Sequence, residues 1–179
     1  TVDLGVRYSD PASRISVHGS LFETEWKYIQ SDYLLSNGLT STRNVGRARI
    51  YGAEASVDWR PWPALSLALG ATYIDADLVR DATGEKLDDR RMPVTPDLAL
   101  RALAQYRFDL GAWVATTGVQ VNYIGNSRLS FDPSLDHKMG DYATVALNAI
   151  FSRPYMAISL KVDNLLDVKG DSFAFGNPF

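Results

Sequence analysis

The chain has 179 residues, no cysteine, a charged fraction of 22% and a formal net charge of -3. That balance offers no basic field to hold a nucleic-acid backbone, and it leaves no disulfide framework, thiolate zinc site or cysteine nucleophile. A mean hydropathy of -0.13 and the lack of any apolar run near the roughly 20 residues of a spanning helix exclude a helical membrane protein, but not a membrane barrel, whose strands alternate lipid-facing and lumen-facing residues and average out near neutral.

Period-two alternation recurs along the whole chain. Val2 to Ser9 predicts a first strand. Arg14 to about Tyr33 predicts a second, with Ile15 and Val17 on the apolar parity and His18 on the other; its alternation loses clarity beyond Leu21. Between 44 and 60, Tyr51, Ala53, Ala55, Val57 and Trp59 oppose Gly52, Glu54, Ser56 and Asp58. Between 64 and 78, Leu65, Leu67, Leu69, Ala71 and Tyr73 oppose small and polar residues. The segment 97–108 sets Leu98, Leu100, Ala102, Ala104, Tyr106 and Phe108 against Arg101, Gln105 and Arg107. In 112–126, Trp113, Val119, Val121 and Tyr123 oppose Gln120 and Asn122. Ala143 to Phe151 marks a strand within 140–153, and in 155–164 Met156, Ile158, Leu160 and Val162 oppose Ser159, Lys161 and Asp163. These eight segments, with no helical period among them, predict an all-β fold, an antiparallel up-and-down meander forming part of a transmembrane β-barrel.

The connections alternate in length. Those at Asp10, Pro61, Asp109 and Arg153-Pro154 are short, and those spanning Leu34 to Arg43, Val79 to Pro96 and Ser127 to Met139 are long. Outer-membrane barrels have this asymmetry, with short periplasmic turns and long extracellular loops. Tyr8, Trp59, Trp62, Phe108, Trp113, Phe151 and Tyr155 all flank the short turns and would form one interfacial girdle. Tyr51, Tyr73 and Tyr123 stand about 9–11 residues away, one membrane-crossing strand, and would start the opposite one.

Three runs carry a family resemblance. Asn44 to Pro61 reads NVGRARIYGAEASVDWRP, with a Gly-x-Glu ahead of a strand that ends at a turn; Arg91 to Pro96 reads RMPVTP, an Arg-x-Pro-x-x-Pro; Val162 to Asp167 reads VDNLLD. In this order they resemble the C-terminal barrel of TonB-dependent outer-membrane receptors. The resemblance implies a transporter of the Gram-negative outer membrane, with a barrel of about 22 strands and a plugged lumen. It further implies import of a scarce nutrient of the siderophore-iron, cobalamin, haem or glycan class with TonB-coupled energy, and no enzymatic step. The partners it implies are the inner-membrane TonB complex, engaged through an N-terminal segment outside this chain, the protein's own plug, the small-molecule ligand and membrane lipid. The family's closing strand ends on an aromatic residue. Here Phe179 follows Asn177-Pro178, so residues 1–179 are expected to be a partial C-terminal segment lacking plug, earlier strands and closing strand.

Parity nominates Glu54, Asp58, Arg101, Gln105, Arg107, Gln120, Asn122 and Lys161 as lumen-facing. The run Asp88, Asp89, Arg90 and Arg91 in the longest loop is the candidate ligand contact at the extracellular mouth, because long loops on a rigid barrel carry specificity. No catalytic, cofactor or metal site is expected. His18 and His137 lie far apart in sequence, and Asp75, Asp77 and Asp81 lack the spacing of a calcium loop and read as a solvated strand end. Two rival readings remain, a complete eight-stranded outer-membrane barrel with a structural, adhesive or enzymatic role, and a soluble ligand-binding barrel of lipocalin type.

Overall fold

The computed structural model describes residues 1–34, 39–81, 86–129, 131 and 137–170, except the side chains of 31–34, 40, 43 and 86–90. Among the described residues there is no helix. The strands are β1 Val2–Asp10, β2 Ile15–Leu34, β3 Thr40–Trp62, β4 Leu65–Arg80, β5 Lys86–Arg91, β6 Leu98–Leu110, β7 Trp113–Ile124, β8 Ser127–Arg128, β9 Lys138–Met139, β10 Tyr142–Arg153 and β11 Met156–Val162. The main sheet runs β1-β2-β3-β4-β6-β7-β10-β11, each strand antiparallel to the next in sequence along that path. These are the eight segments whose alternation the sequence displays.

Three expectations about loops need correction. The segment Val79 to Pro96 is not one long loop: β4 continues to Arg80 and β5 returns beside it, pairing Asp77 with Arg91, Leu78 with Arg90 and Arg80 with Lys86. Within Ser127 to Met139, β8 and β9 pair as a small separate ladder. β5 is nearly all charged and β8 and β9 have two residues each, so none of the three shows the apolar alternation that identified the other eight. The long connection expected from Leu34 is also trimmed, since β3 begins at Thr40.

Register assembles the two faces. One row reads Tyr8, Val17, Val57, Leu69, Ala102, Val121 and Val145, and the next Ile15, Trp59, Leu67, Ala104, Val119, Leu147 and Val162. Opposed residues in an antiparallel ladder project to the same side, so these rows form one continuous apolar face. It stays exposed, with Leu69 at 56% and Leu160 at 60%. On the reverse side one row reads Arg7, His18, Ser56, Gly70, Arg101, Asn122 and Thr144. A soluble ligand-binding barrel would turn its apolar parity inward around a ligand, whereas this sheet hollows on its polar side. An open hollow of about 400 Å³ there includes His18, Glu54, Ser56, Thr72, Arg101 and Asn122 in its lining. A self-closed eight-stranded barrel would need β1 to pair with β11; instead the two stand as separate sheet edges.

Above Tyr51 and Tyr73 the polarity of the two sides reverses. The side that carried the apolar rows now carries Glu23 and Asp75, opposite Tyr51, and then Glu25, Arg49, Asp77 and Arg91, with Lys27 opposite Arg47 beyond them. The other side becomes apolar, with Phe22, Ile50, Ala48, Ile74, Ala76 and Leu78. Tyr28, at φ 58, is the extra residue of a bulge between Lys27 and Ile29. The bulge shifts the parity of β2, so Ile29 joins Ala48 and Leu78 on the apolar side. This is why alternation in β2 blurs beyond Leu21: the faces exchange polarity and a bulge then exchanges parity.

Candidate functional site: the polar face and the long-strand end

All eight residues assigned to one parity share the polar side. Glu54 lies opposite Thr72, Arg101 opposite Asn122, and Gln105 opposite Gly118. Asp58 and Gln120 share a row through Ala68 and Leu103, Arg107 lies opposite Thr116, and Lys161 lies opposite Asn148. Some of them have local side-chain partners. The Gln120 amide donates to Asn122 Oδ1 at 3.0 Å, and Lys161 Nζ pairs with Asp163 at 3.0 Å. A second open hollow, about 610 Å³ and nearer the short turns, includes Asp10, Arg14, Ser16, Asp58, Arg60 and Gln105. Such a surface suits water or another polar protein layer, not lipid.

Both aromatic rows lie on the apolar side. Trp59 pairs with Leu67, Trp62 with Leu65, Phe108 with Ala115 and Phe151 with Ala115, all at the short-turn end. There the Arg153 guanidinium lies 4.8 Å from the Trp113 ring centroid, a way for a cation to sit at an interface beside an aromatic. Tyr51, Tyr73 and Tyr123 stand at the other end, and Tyr123 donates its hydroxyl to Asp141 at 2.9 Å. Between the rows β4 offers Leu65 to Tyr73 and β10 offers Ala143 to Phe151, about the 9–11 residues that cross a bilayer.

The run Asp88 to Arg91 lies in strand β5 and not in open loop. The side chains of Asp88, Asp89 and Arg90 lie outside the described residues. Arg91 stands opposite Asp77 and reaches Asp97 at 3.7 Å. The RMPVTP run is the descent from β5 to β6. Pro93 and Pro96 leave no N–H to satisfy in an irregular passage, and the N–H groups of Met92, Val94 and Asp97 are tied down. Met92 N–H donates to the Ala76 carbonyl at 2.8 Å, Val94 N–H to Arg128 at 2.7 Å and Asp97 N–H to Asn126 at 3.1 Å. In VDNLLD, Asn164 leaves the strand at φ 50 and its amide clamps Val168, donating to the carbonyl and accepting from the N–H, both at 3.1 Å. Asp75 and Asp77 lie on the charged side beyond Tyr73, and among the described residues no three His, Cys, Asp or Glu side chains gather as a metal site.

Sequence reasoning missed the buried cluster at the long-strand end. Ile29, Ala48 and Leu78 are at most 2% exposed, and Val45, Met92 and Phe131 pack against them. The signal available was the apolar even parity of Ala48, Ile50, Ile74, Ala76 and Leu78, opposite in sense to the parity below it.

An antiparallel meander with a lipid-compatible face between two aromatic rows, backed by a polar face, is the wall of a transmembrane β-barrel. The chain belongs to the TonB-dependent receptor-like β-barrel family, whose model matches residues 1–165. Among solved structures it is similar to the ferric yersiniabactin uptake receptor FyuA of Yersinia pestis, at TM-score 0.79 and 24% identity over 98% of this chain and 26% of that one. It is also similar to BauA, the ferric preacinetobactin receptor of Acinetobacter baumannii, at TM-score 0.72 and 20% identity over 93% of this chain and 25% of that one. The ferric-catecholate import receptor Fiu of E. coli K12 gives TM-score 0.65 and 20% identity over 94% of this chain and 23% of that one. At these identities the likeness is one of fold, and the chain spans about a quarter of the length of these receptors. No curated protein sequence matches it.

Proposed function

We propose that this chain is wall from the C-terminal part of an outer-membrane receptor that captures a scarce nutrient of the ferric-siderophore class and admits it to the periplasm with TonB-coupled energy. The observation that carries the reading is the continuous apolar face between aromatic rows, backed by a polar face fit to line a plugged lumen. The solved receptors of similar fold named for ferric siderophores support the choice of cargo class. In this reading Glu54, Asp58, Arg101, Gln105, Arg107, Gln120, Asn122 and Lys161 face the lumen and meet water or the plug. The short turns face the periplasm, and the β4–β5 hairpin stands at the extracellular mouth, with Asp88 to Arg91 offering charged groups to the ligand. Transport of this kind makes and breaks no bond in the cargo, so the reading assigns no catalytic residue. The partners are the plug, the TonB complex, membrane lipid and the nutrient.

The test compares two deletions in the full-length protein. Removing Asp81 to Asp89 is expected to lower uptake of iron-55 carried by a panel of ferric siderophores, while the folded barrel keeps its heat-resistant gel mobility. Shortening the turn at Asp109 to Gly111 is expected to impair barrel assembly instead. Wild-type uptake of every tested complex after the first deletion would remove the ligand role of this hairpin.

A further inference from the structure

The cluster at the long-strand end has the character of a soluble core. Its members come from five separate stretches: Ile29 of β2, Val45 and Ala48 of β3, Leu78 of β4, Met92 of the descent and Phe131 beyond β8. It lies on the side of the sheet that is polar lower down, so Met92 and Phe131 are drawn in over that side and not out over lipid. Backbone bonds carry the strand ladders on into the same segments. Met92 is tied to Ala76, Val94 to Arg128, Asp97 to Asn126 and Gly125 to Leu98, at 2.7 to 3.1 Å. The glycines that permit the approach fit the same picture. Gly46 has φ 128, and a Cβ there would overlap the Arg80 carbonyl; Gly140 has φ 81, and a Cβ would overlap that of Gly125.

We propose that this cluster is a fixed latch that keeps the mouth-side segments around Met92 to Asp97 and Gly125 to Leu129 preformed at the rim, so that this sector of the mouth does not act as a closing lid. The inference rests on the long-strand end being the mouth. Its physical basis is that apolar closure and backbone bonding act on the same segments. Releasing them would expose Ile29, Ala48 and Leu78 to water and unpair several N–H groups together.

A spin label tests this without reference to any nutrient, so it separates failure of the latch from failure of the transport reading. This chain has no cysteine, so Val94→Cys, exposed at 48%, takes the label in the full-length protein, any cysteine elsewhere being replaced. The protein is reconstituted in phosphatidylcholine vesicles. The label is expected to be immobilised in the parent and with Leu78→Met, and to reorient about threefold faster or more with Leu78→Ala. Leu78→Asp extends the series if its barrel still forms. A mobile label in the parent overturns the proposal, as does an unchanged spectrum in Leu78→Ala.

Discussion

The lower wall and the ribbon that rises from it are built from the same strands and obey opposite rules. In the wall, β4 sends Leu65, Leu67, Leu69 and Tyr73 to one side; two rows above Tyr73 the same side of the same strand carries Asp77, level with Glu25 and Arg49. The wall can leave its apolar face exposed because lipid covers it, whereas the ribbon stands in water and turns its apolar residues to the other side, where Met92 and Phe131 cover them. Length separates the regions too. β2 and β3 have 20 and 23 residues against 12 in β7 and in β10, and about ten extra residues add roughly 30 Å of strand beyond the bilayer. The ion pairs of the ribbon, Lys27–Glu25 at 3.4 Å and Arg49–Glu23 at 3.5 Å, are half exposed and contribute little individually. What they do is keep that side wet. The solvent on each side, more than strand propensity, decides which parity is apolar.

The largest expected effect breaks this comparison directly. On β4 of the full-length barrel, Leu69→Arg should cost about 2–4 kcal/mol because it puts a charge at mid-membrane. Asp75→Arg, on the same side of the same strand but past Tyr73, should change stability by less than about 0.5 kcal/mol. Urea titrations of folding into vesicles measure both, and equal costs would refute the placement of the boundary. A smaller effect is expected at the row where polarity reverses. The Phe22 ring lies across Gly52, where a Cβ would overlap it. Gly52→Ala should therefore cost about 1 kcal/mol, and the cost should shrink in a Phe22→Leu background; additivity in that double-mutant cycle would show that the ring does not depend on the glycine.

The smallest effect belongs to the turn below the wall. There the Ser13 hydroxyl, followed by the Ala12 N–H, holds the fully exposed Asp10 carboxyl below its usual value. A depressed carboxylate stabilises the fold above its unfolded pKa, about 3.9, and loses that contribution as pH falls through the lower folded value. Protection factors of the β1–β2 hairpin amides, in which the intrinsic pH dependence of exchange is divided out, should thus be steady at neutral pH and fall below about pH 4, whereas Asp10→Asn should show no such fall. An identical acid profile in the variant would assign the change to other groups.

Legibility followed the same division. Leu98 to Phe108 and Trp113 to Tyr123 alternate cleanly, and the observed β6 and β7 match their expected extents to within two residues at each end. The eight polar residues assigned from parity do share one side, because a strand without a bulge has no other way to place them. The β4–β5 hairpin was read as loop because Lys86 to Arg91 is nearly all charged, and its pairing is visible only once β4 is seen to continue to Arg80. Arg91 carries the same lesson, since its reach to Asp97 depends on how the descent folds.

By itself, the sequence determined which residues share a side within each regular strand, how thick the apolar band is and at which end the turns are short. These follow from a two-residue period and a fixed rise, both local. The tertiary structure alone decided that bulges at Tyr28 and Val45 bring Ile29 and Val45 to the buried cluster, and that Met92 and Phe131 close over it. Those contacts join residues 29 to 131 across several strands, and no local period encodes which distant side chain will exclude water from another.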